Sequence, residues 1–213
     1  MFALTIDQAA SRRNPDLVPE LLRLLRHVPA TVGFERSVGD EAQGVLESPD
    51  AVVEAVLLCL RQGHWYVGVG IGDIERPYPV SPREARGSAF VAARTAVERA
   101  KKTGERAPVA VEGPPGSAEA EAVLALLGRS VLNRSTAEWR ILDRLEPGRR
   151  GSQTAVAREL GITPQAVSKA VARSAWVEEW AARPAAALLL SWADSPPADS
   201  PPAGREPAPR QED

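Results

Sequence analysis

The segment from Gln153 to Arg173, QTAVARELGITPQAVSKAVAR, constrains this chain most, because its residues meet several separate geometric demands in one register. Val156 and Leu160 stand one helical turn apart, and the small Ala157 between them lets a second helix cross closely. Gly161 can take the positive φ that ends a first helix, and Ile162 is an apolar turn residue expected to pack beneath both helices. Thr163 followed by Pro164 is an N-cap and first-turn pair that starts a second helix, whose inward stripe is Val167, Ala170 and Val171. A helix-turn-helix is the expected local structure.

The second helix leaves Gln165, Ser168, Lys169 and, one turn later, Arg173 facing outward, with Thr163 at its start. These hydrogen-bonding and cationic side chains are the types that read base edges or clamp phosphates, so the expected partner is double-stranded DNA. Global charge gives this expectation no help: 26 Lys and Arg stand against 28 Asp and Glu, a formal net charge of −2. Locally the balance differs, because Arg134, Arg140, Arg144, Arg149, Arg150, Arg158, Lys169 and Arg173 outnumber Glu138, Asp143, Glu146 and Glu159. Ahead of the pair, Thr136 to Leu145 is amphipathic, with Trp139, Leu142 and Leu145 available as a shared core. Trp176 and Trp180 follow at i and i+4 on a further helix, read as core or dimer contacts. A homodimer is expected, since one recognition helix rarely supplies enough affinity.

The N-terminal half has a different grammar. Phe2 to Ile6 reads as a buried strand ending at Asp7, and Leu17, Leu21, Leu24 and Leu25 form a helical stripe with Pro19 in its first turn. Val32 to Val38, the turn pair Gly39-Asp40 and Ala42 to Leu46 read as a hairpin with Asp40 at its tip. Ser48-Pro49 caps a helix that Gly63 ends, and His64 to Gly72 returns to strand with glycine at every second residue, implying a close neighbour on one face. The order β-α-β-β-α-β is that of ferredoxin-like domains, whose first and third strands lie side by side. A loop from Ile74 to Pro82, a helix from Arg83 to Lys102, a strand at Pro108 to Val111 and a helix N-capped by Ser117 and running through Leu127 follow. The fold class is therefore α+β: a ferredoxin-like, palm-type domain at residues 1–113, a connecting helix at 114–133, an all-α helix-turn-helix domain at 134–193, and a proline-rich tail at 194–213 too poor in apolar residues to pack.

Other chemistries find little support. The single cysteine, Cys59, lies in an apolar run, so no intrachain disulfide can form, and His27 and His64 have no metal-ligand partner at helical spacing. No Ser-His-Asp, Cys-His or P-loop arrangement is present. No basic leader precedes a long apolar core, and the apolar runs fall short of a bilayer's thickness, so the expected location is cytoplasmic with no membrane partner.

Thr5-Ile6-Asp7, Val38-Gly39-Asp40-Glu41 and Val67 to Gly72, in that order and spacing, resemble the palm domain of class III nucleotide cyclases. The plan with a helix-turn-helix at the C-terminal end is similar to that of SatD-like bacterial proteins, and the abundance of Ala, Arg and Pro matches a high-GC bacterial genome. The cyclase resemblance implies Asp7 and Asp40 as ligands of Mg²⁺ or Mn²⁺, Glu41 as a third acid, and Arg94 as a nucleotide contact. The segment Gly87 to Arg94 has no asparagine, which favours nucleotide binding over cyclisation. Two readings result. The first is a DNA-binding transcriptional regulator, not an enzyme, whose N-terminal domain senses a nucleotide or small-molecule effector. The alternative is a metal-dependent nucleotide-binding or cyclase-like enzyme using Asp7 and Asp40.

Overall fold

A computed structural model describes residues 1–195. The proline-rich tail expected at 194–213 lies outside the described residues apart from Asp194 and Ser195. The chain runs β1 (Phe2–Gln8), α1 (Val18–Leu25), β2 (Val32–Arg36), β3 (Glu41–Leu46), α2 (Pro49–Gln62), β4 (Trp65–Ile71), α3 (Ser88–Ala100), β5 (Val109–Glu112), α4 (Ser117–Leu132), α5 (Thr136–Leu142), α6 (Ser152–Leu160), α7 (Pro164–Arg173) and α8 (Trp176–Asp194). The architecture is α+β, with one mixed five-stranded sheet in the order β2-β3-β1-β4-β5. β1 runs antiparallel to both β3 and β4, and β5 is added parallel to β4.

Local signals place most of these elements. Ser48 caps α2 by accepting from the Ala51 amide, and Gly63 ends that helix at φ +70°. Gly39 takes φ +58° in the tight turn between β2 and β3, where a side chain would be strained. Two helices depart from expectation. α3 starts at Ser88 rather than Arg83, because Gly87 sits at φ +141° with no room for a Cβ, which would meet the Asp73 carbonyl at 2.1 Å. Ser117 is the first residue of α4 rather than its N-cap; its hydroxyl donates to the Pro114 carbonyl at 2.6 Å, and the helix continues past Leu127 to Leu132.

The sheet separates two unequal layers. Phe2, Leu4 and Ile6 of β1, with Val67, Val69 and Ile71 of β4, join a large core with residues of α1, α2, α4 and α8. The alternate residues face α3, where Ala3 packs with Ala89 and Ala93 and Ala110 packs with Ala96 and Ala100. α3 can approach so closely only because β4 presents glycine to it. A Cβ on Gly70 would lie 2.0 Å from the Ala89 oxygen and 2.2 Å from the Ala93 nitrogen, and one on Gly68 would lie 2.3 Å from the Val97 nitrogen. These neighbours are backbone atoms, so the clash cannot be relieved by a rotamer change.

A second core joins Leu142, Leu145, Val156, Ala157, Val167 and Val171, drawn from α5, α6, α7 and the segment after α5. α8 then leaves this unit and returns along α4 and α2, with Ala186, Leu190 and Ala193 fully buried in the large core. No helix among the described residues is long and apolar enough to cross a membrane.

Gly70→Ala is expected to cost more than about 3 kcal/mol in urea unfolding, because α3 must lift from the sheet. Gly33→Ala on β2, with no atom within 4 Å of the added carbon, serves as the control and should stay within about 0.5 kcal/mol of wild type.

Candidate nucleic-acid interface

α6 and α7 are built as their residues demand. Val156 and Ala157 of α6 and Val167 and Val171 of α7 are buried against one another and against Leu142 and Leu145. Gly161 closes α6 at φ +65°. The Thr163 hydroxyl accepts from the Ala166 amide at 3.1 Å, satisfying one of the amides that a helix start leaves unpaired, and Pro164 occupies the first turn. α5 is fixed by a capping box, in which Ser135 accepts from the Glu138 amide and Glu138 accepts from the Ser135 amide at 2.8 Å. That backbone hydrogen bond from Ser135 is the main cause holding the Glu138 carboxyl below its ordinary range. Ile162 differs from expectation: it remains 37% exposed, because the turn carries its side chain outward rather than between the two helices.

The outer face of α7 is open. Thr163, Gln165, Ser168, Lys169 and Arg173 are all exposed, whereas Val167 and Val171 are buried. Arg140, Arg150, Arg158 and Lys169 have no acidic partner within salt-bridge distance among the described residues, whereas Arg173 lies 3.9 Å from Glu138. Arg144 pairs with Glu159 at 2.8 Å and Arg149 with Glu146 at 2.5 Å, exposed contacts that a phosphate could displace at little cost.

Arg134 does not belong to this surface. Its side chain is 2% exposed and pairs at 2.6 Å with Glu179 of α8, itself 1% exposed, while its Nε donates to the Ser174 carbonyl at 2.9 Å. It belongs to the joint between the two cores. There Arg61 of α2 makes paired 2.7 Å hydrogen bonds to Asp143 and lies 3.9 Å above the centre of the Trp139 ring. Trp176 packs partly buried against the second core, and Trp180 meets it edge-on at 6.2 Å while Arg183 covers its face. Removing Glu179 would strand the buried Arg134 charge, a loss of roughly 3–5 kcal/mol, whereas Glu179 without Arg134 would still pair with Arg183. In sequence only the i, i+4 spacing of Glu179 and Arg183 hints at this joint; nothing local marks Arg134 as buried.

On the α3 face of the sheet, the acids are already engaged. Asp7 and Glu41 are direct cross-strand partners, and Asp40 is the adjoining hairpin residue, whose carbonyl accepts from the Gln8 amide at 3.2 Å. Lys101, just past α3, places Nζ 2.9 Å from Asp7 Oδ2 and 2.9 Å from Glu98. Arg94 pairs with buried Glu41, which also accepts from Ser37 and from Gln43 Nε2 at 3.1 Å. In the structure Asp7 and Glu41 face cations of α3 and its C-terminal end rather than converging as a ligand set. An ammonium already sits against Asp7, Arg94 is turned to Glu41, and among the described residues no three His, Cys, Asp or Glu side chains group where they could hold a metal ion.

Burial pushes the Asp7 carboxyl above its ordinary pKa even though the Lys101 hydrogen bond and charge pull it down, and the Asp40 charge adds to the rise. A raised folded-state pKa means that the folded chain holds this proton more tightly than the unfolded chain. The associated stability is full below the ordinary carboxylate pKa and is lost as pH rises through the raised value. Asp7→Asn removes that titration, so unfolding curves at pH 3 and pH 7 should show the variant gaining on wild type at the higher pH; a constant or reversed gap would mean that the Lys101 pair outweighs burial. No protein-family model matches this chain, and neither a curated protein nor a solved structure is found to match it.

Proposed function

We propose that this protein is a DNA-binding transcriptional regulator that lays α7 in the major groove. The observation that carries the reading is the division of α7 into two faces. Val167 and Val171 hold it to α5 and α6, while Gln165, Ser168, Lys169 and Arg173 remain exposed beside a capped N-terminus. A helix held from behind with its amide, hydroxyl and ammonium groups free, and with Arg173 only loosely paired to Glu138 at 3.9 Å, is an arrangement in which base edges and phosphates can be contacted together.

The N-terminal domain is read as ferredoxin-like and palm-type, and the whole as SatD-like. The strand order β2-β3-β1-β4, with α1 and α2 in the two crossovers, supports that reading, and β5 with its helices is an addition at the sheet edge. Its role in the proposal is to sense an effector and to position the DNA-binding unit. α8 gives it the means, because it leaves the second core at Trp176 and ends inside the first at Ala193. The protein is read as cytoplasmic and as acting as a homodimer. Val177, Leu188 and Trp192 share one exposed face of α8, and a symmetric pairing there would hold two copies of α7 at a fixed separation.

Electrophoretic mobility shift with fragments of the genome that encodes the protein, at low salt, tests the reading. Wild type should retard at least one fragment, and Lys169→Ala with Arg173→Ala should weaken binding and lower the slope of log affinity against log salt by about two. Absence of any retardation at low salt, or a double variant that binds as wild type does, overturns it.

A further inference from the structure

From Ala181 to Trp192, α8 is apolar on every side. The one charged residue in that stretch is Arg183, and its guanidinium is turned to Glu179 and to the face of the Trp180 ring. A helix of this composition is ordinarily enclosed by protein all round. Here the inner side alone is enclosed: Ala186, Leu190 and Ala193 are fully buried in the large core, where α8 meets α2 and α4. On the outer side Val177 is 54% exposed, Leu188 48% and Trp192 45%, and Ala181, Pro184 and Ala185 between them are exposed as well. At 3.6 residues per turn these six fall within an arc of about 100°, so they make one stripe along the helix.

The stripe is self-complementary under a two-fold axis. When a second α8 is laid antiparallel with the axis between Pro184 and Ala185, Val177 faces Trp192 of the other copy, Ala181 faces Leu188, and Pro184 faces Ala185. Each larger side chain meets a smaller one, and no exposed apolar residue of the stripe is left over. Glu178 then falls opposite Ser191, whereas parallel pairing would set Glu178 against Glu178 and Trp192 against Trp192, and like charges facing one another oppose association. Having no charge of its own, the stripe offers a charged peptide nothing to recognise. A helix of 19 residues gives each copy a strip about 28 Å long and about 10 Å wide. That places the interface at or below the roughly 1,200 Å² at the low end of specific association, so the dimer is a reversible one.

We propose that two copies of this chain pair antiparallel through α8, about a two-fold axis beside Pro184 and Ala185. This gives the homodimer of the proposed function its orientation and register, and its consequence for DNA rests on that reading. In this register the two starts of α8 stand about 26 Å apart along the helix axes. The paired copies of α7, which directly precede them in the chain, are then held at a spacing on the order of one DNA turn, ~34 Å, and the half-sites they meet are inverted.

Sedimentation velocity of the full chain without DNA, over a dilution series, reads the pairing. Wild type should pass from dimer to monomer on dilution. Leu188→Glu changes a residue exposed in the single chain, so folding is preserved, and it should sediment as a monomer throughout. Val91→Glu, at an exposed position of α3 on the other side of the sheet, should behave as wild type. A short thiol-to-thiol cross-linker reads the orientation, since the native Cys59 is fully buried. Ala185→Cys, beside the axis, should join two chains; Val177→Cys, about 22 Å from its counterpart, should not. A chain that stays monomeric at every concentration, as when another protein or residues 196–213 cover the stripe, overturns the proposal. So does a dimer that survives Leu188→Glu, or one in which Val177→Cys is joined or Ala185→Cys is not. No DNA enters these measurements: a monomer leaves the DNA contact of α7 standing, and a failed mobility shift leaves the pairing standing.

Discussion

The approach of α3 to β4 depends on atoms that are not there. With hydrogen in place of Cβ at Gly68 and Gly70, the helix backbone lies directly on the strand, and the alanines Ala89, Ala93, Ala96 and Ala100 complete the contact without bulky side chains. That seat fixes where Arg94 and Lys101 arrive, two turns apart, over Glu41 and Asp7. It also commits the opposite sheet face to the large core, since one layer of a single helix cannot cover five strands. α1, α2, α4 and α8 gather on that face; α4 leads the chain to the helix-turn-helix and α8 brings it back.

The connection between the two cores is correspondingly polar. Arg61 with Asp143, Arg134 with Glu179, and Arg183 with Glu179 cross or border the joint, and tryptophan rings lie under the guanidinium groups. Buried ion pairs add little net stability when compared with an apolar replacement, but they impose one geometry, because any shift exposes a charge to a poor partner. A joint of this kind suits a unit whose placement relative to its neighbour matters.

Much of this was legible in the residues wherever a local rule acts alone. Ser48, Gly63, Gly161 and Thr163 each set a helix end through their own side chain or φ, and each lies where its chemistry says it should. The glycine alternation from Gly68 to Gly72 announced a close neighbour without identifying it. What escaped sequence reading depends on distant contact. Arg134 looks like a surface cation until α8 folds back to supply Glu179, and Asp7 looks available to a metal until α3 delivers Lys101. The start of α3 is not legible locally, because nothing in Arg83 to Gly87 forbids a helix; the segment before Ser88 is held by distant partners, the Arg86 carbonyl accepting from the Glu75 amide at 2.8 Å and the Asp73 carbonyl accepting from the Ala89 amide at 3.2 Å.

In the function proposed here, the exposed face of α7 is the surface that meets DNA. Mapping amide chemical shifts of the full chain as duplex DNA is added at low salt tests it most directly. The largest changes should fall between Thr163 and Arg173, with smaller ones at α6 and Arg140, and Asp7, Asp40 and Arg94 should be unaffected. Changes centred on those three residues, or spread evenly over the surface with α7 no more affected than the rest, would contradict it.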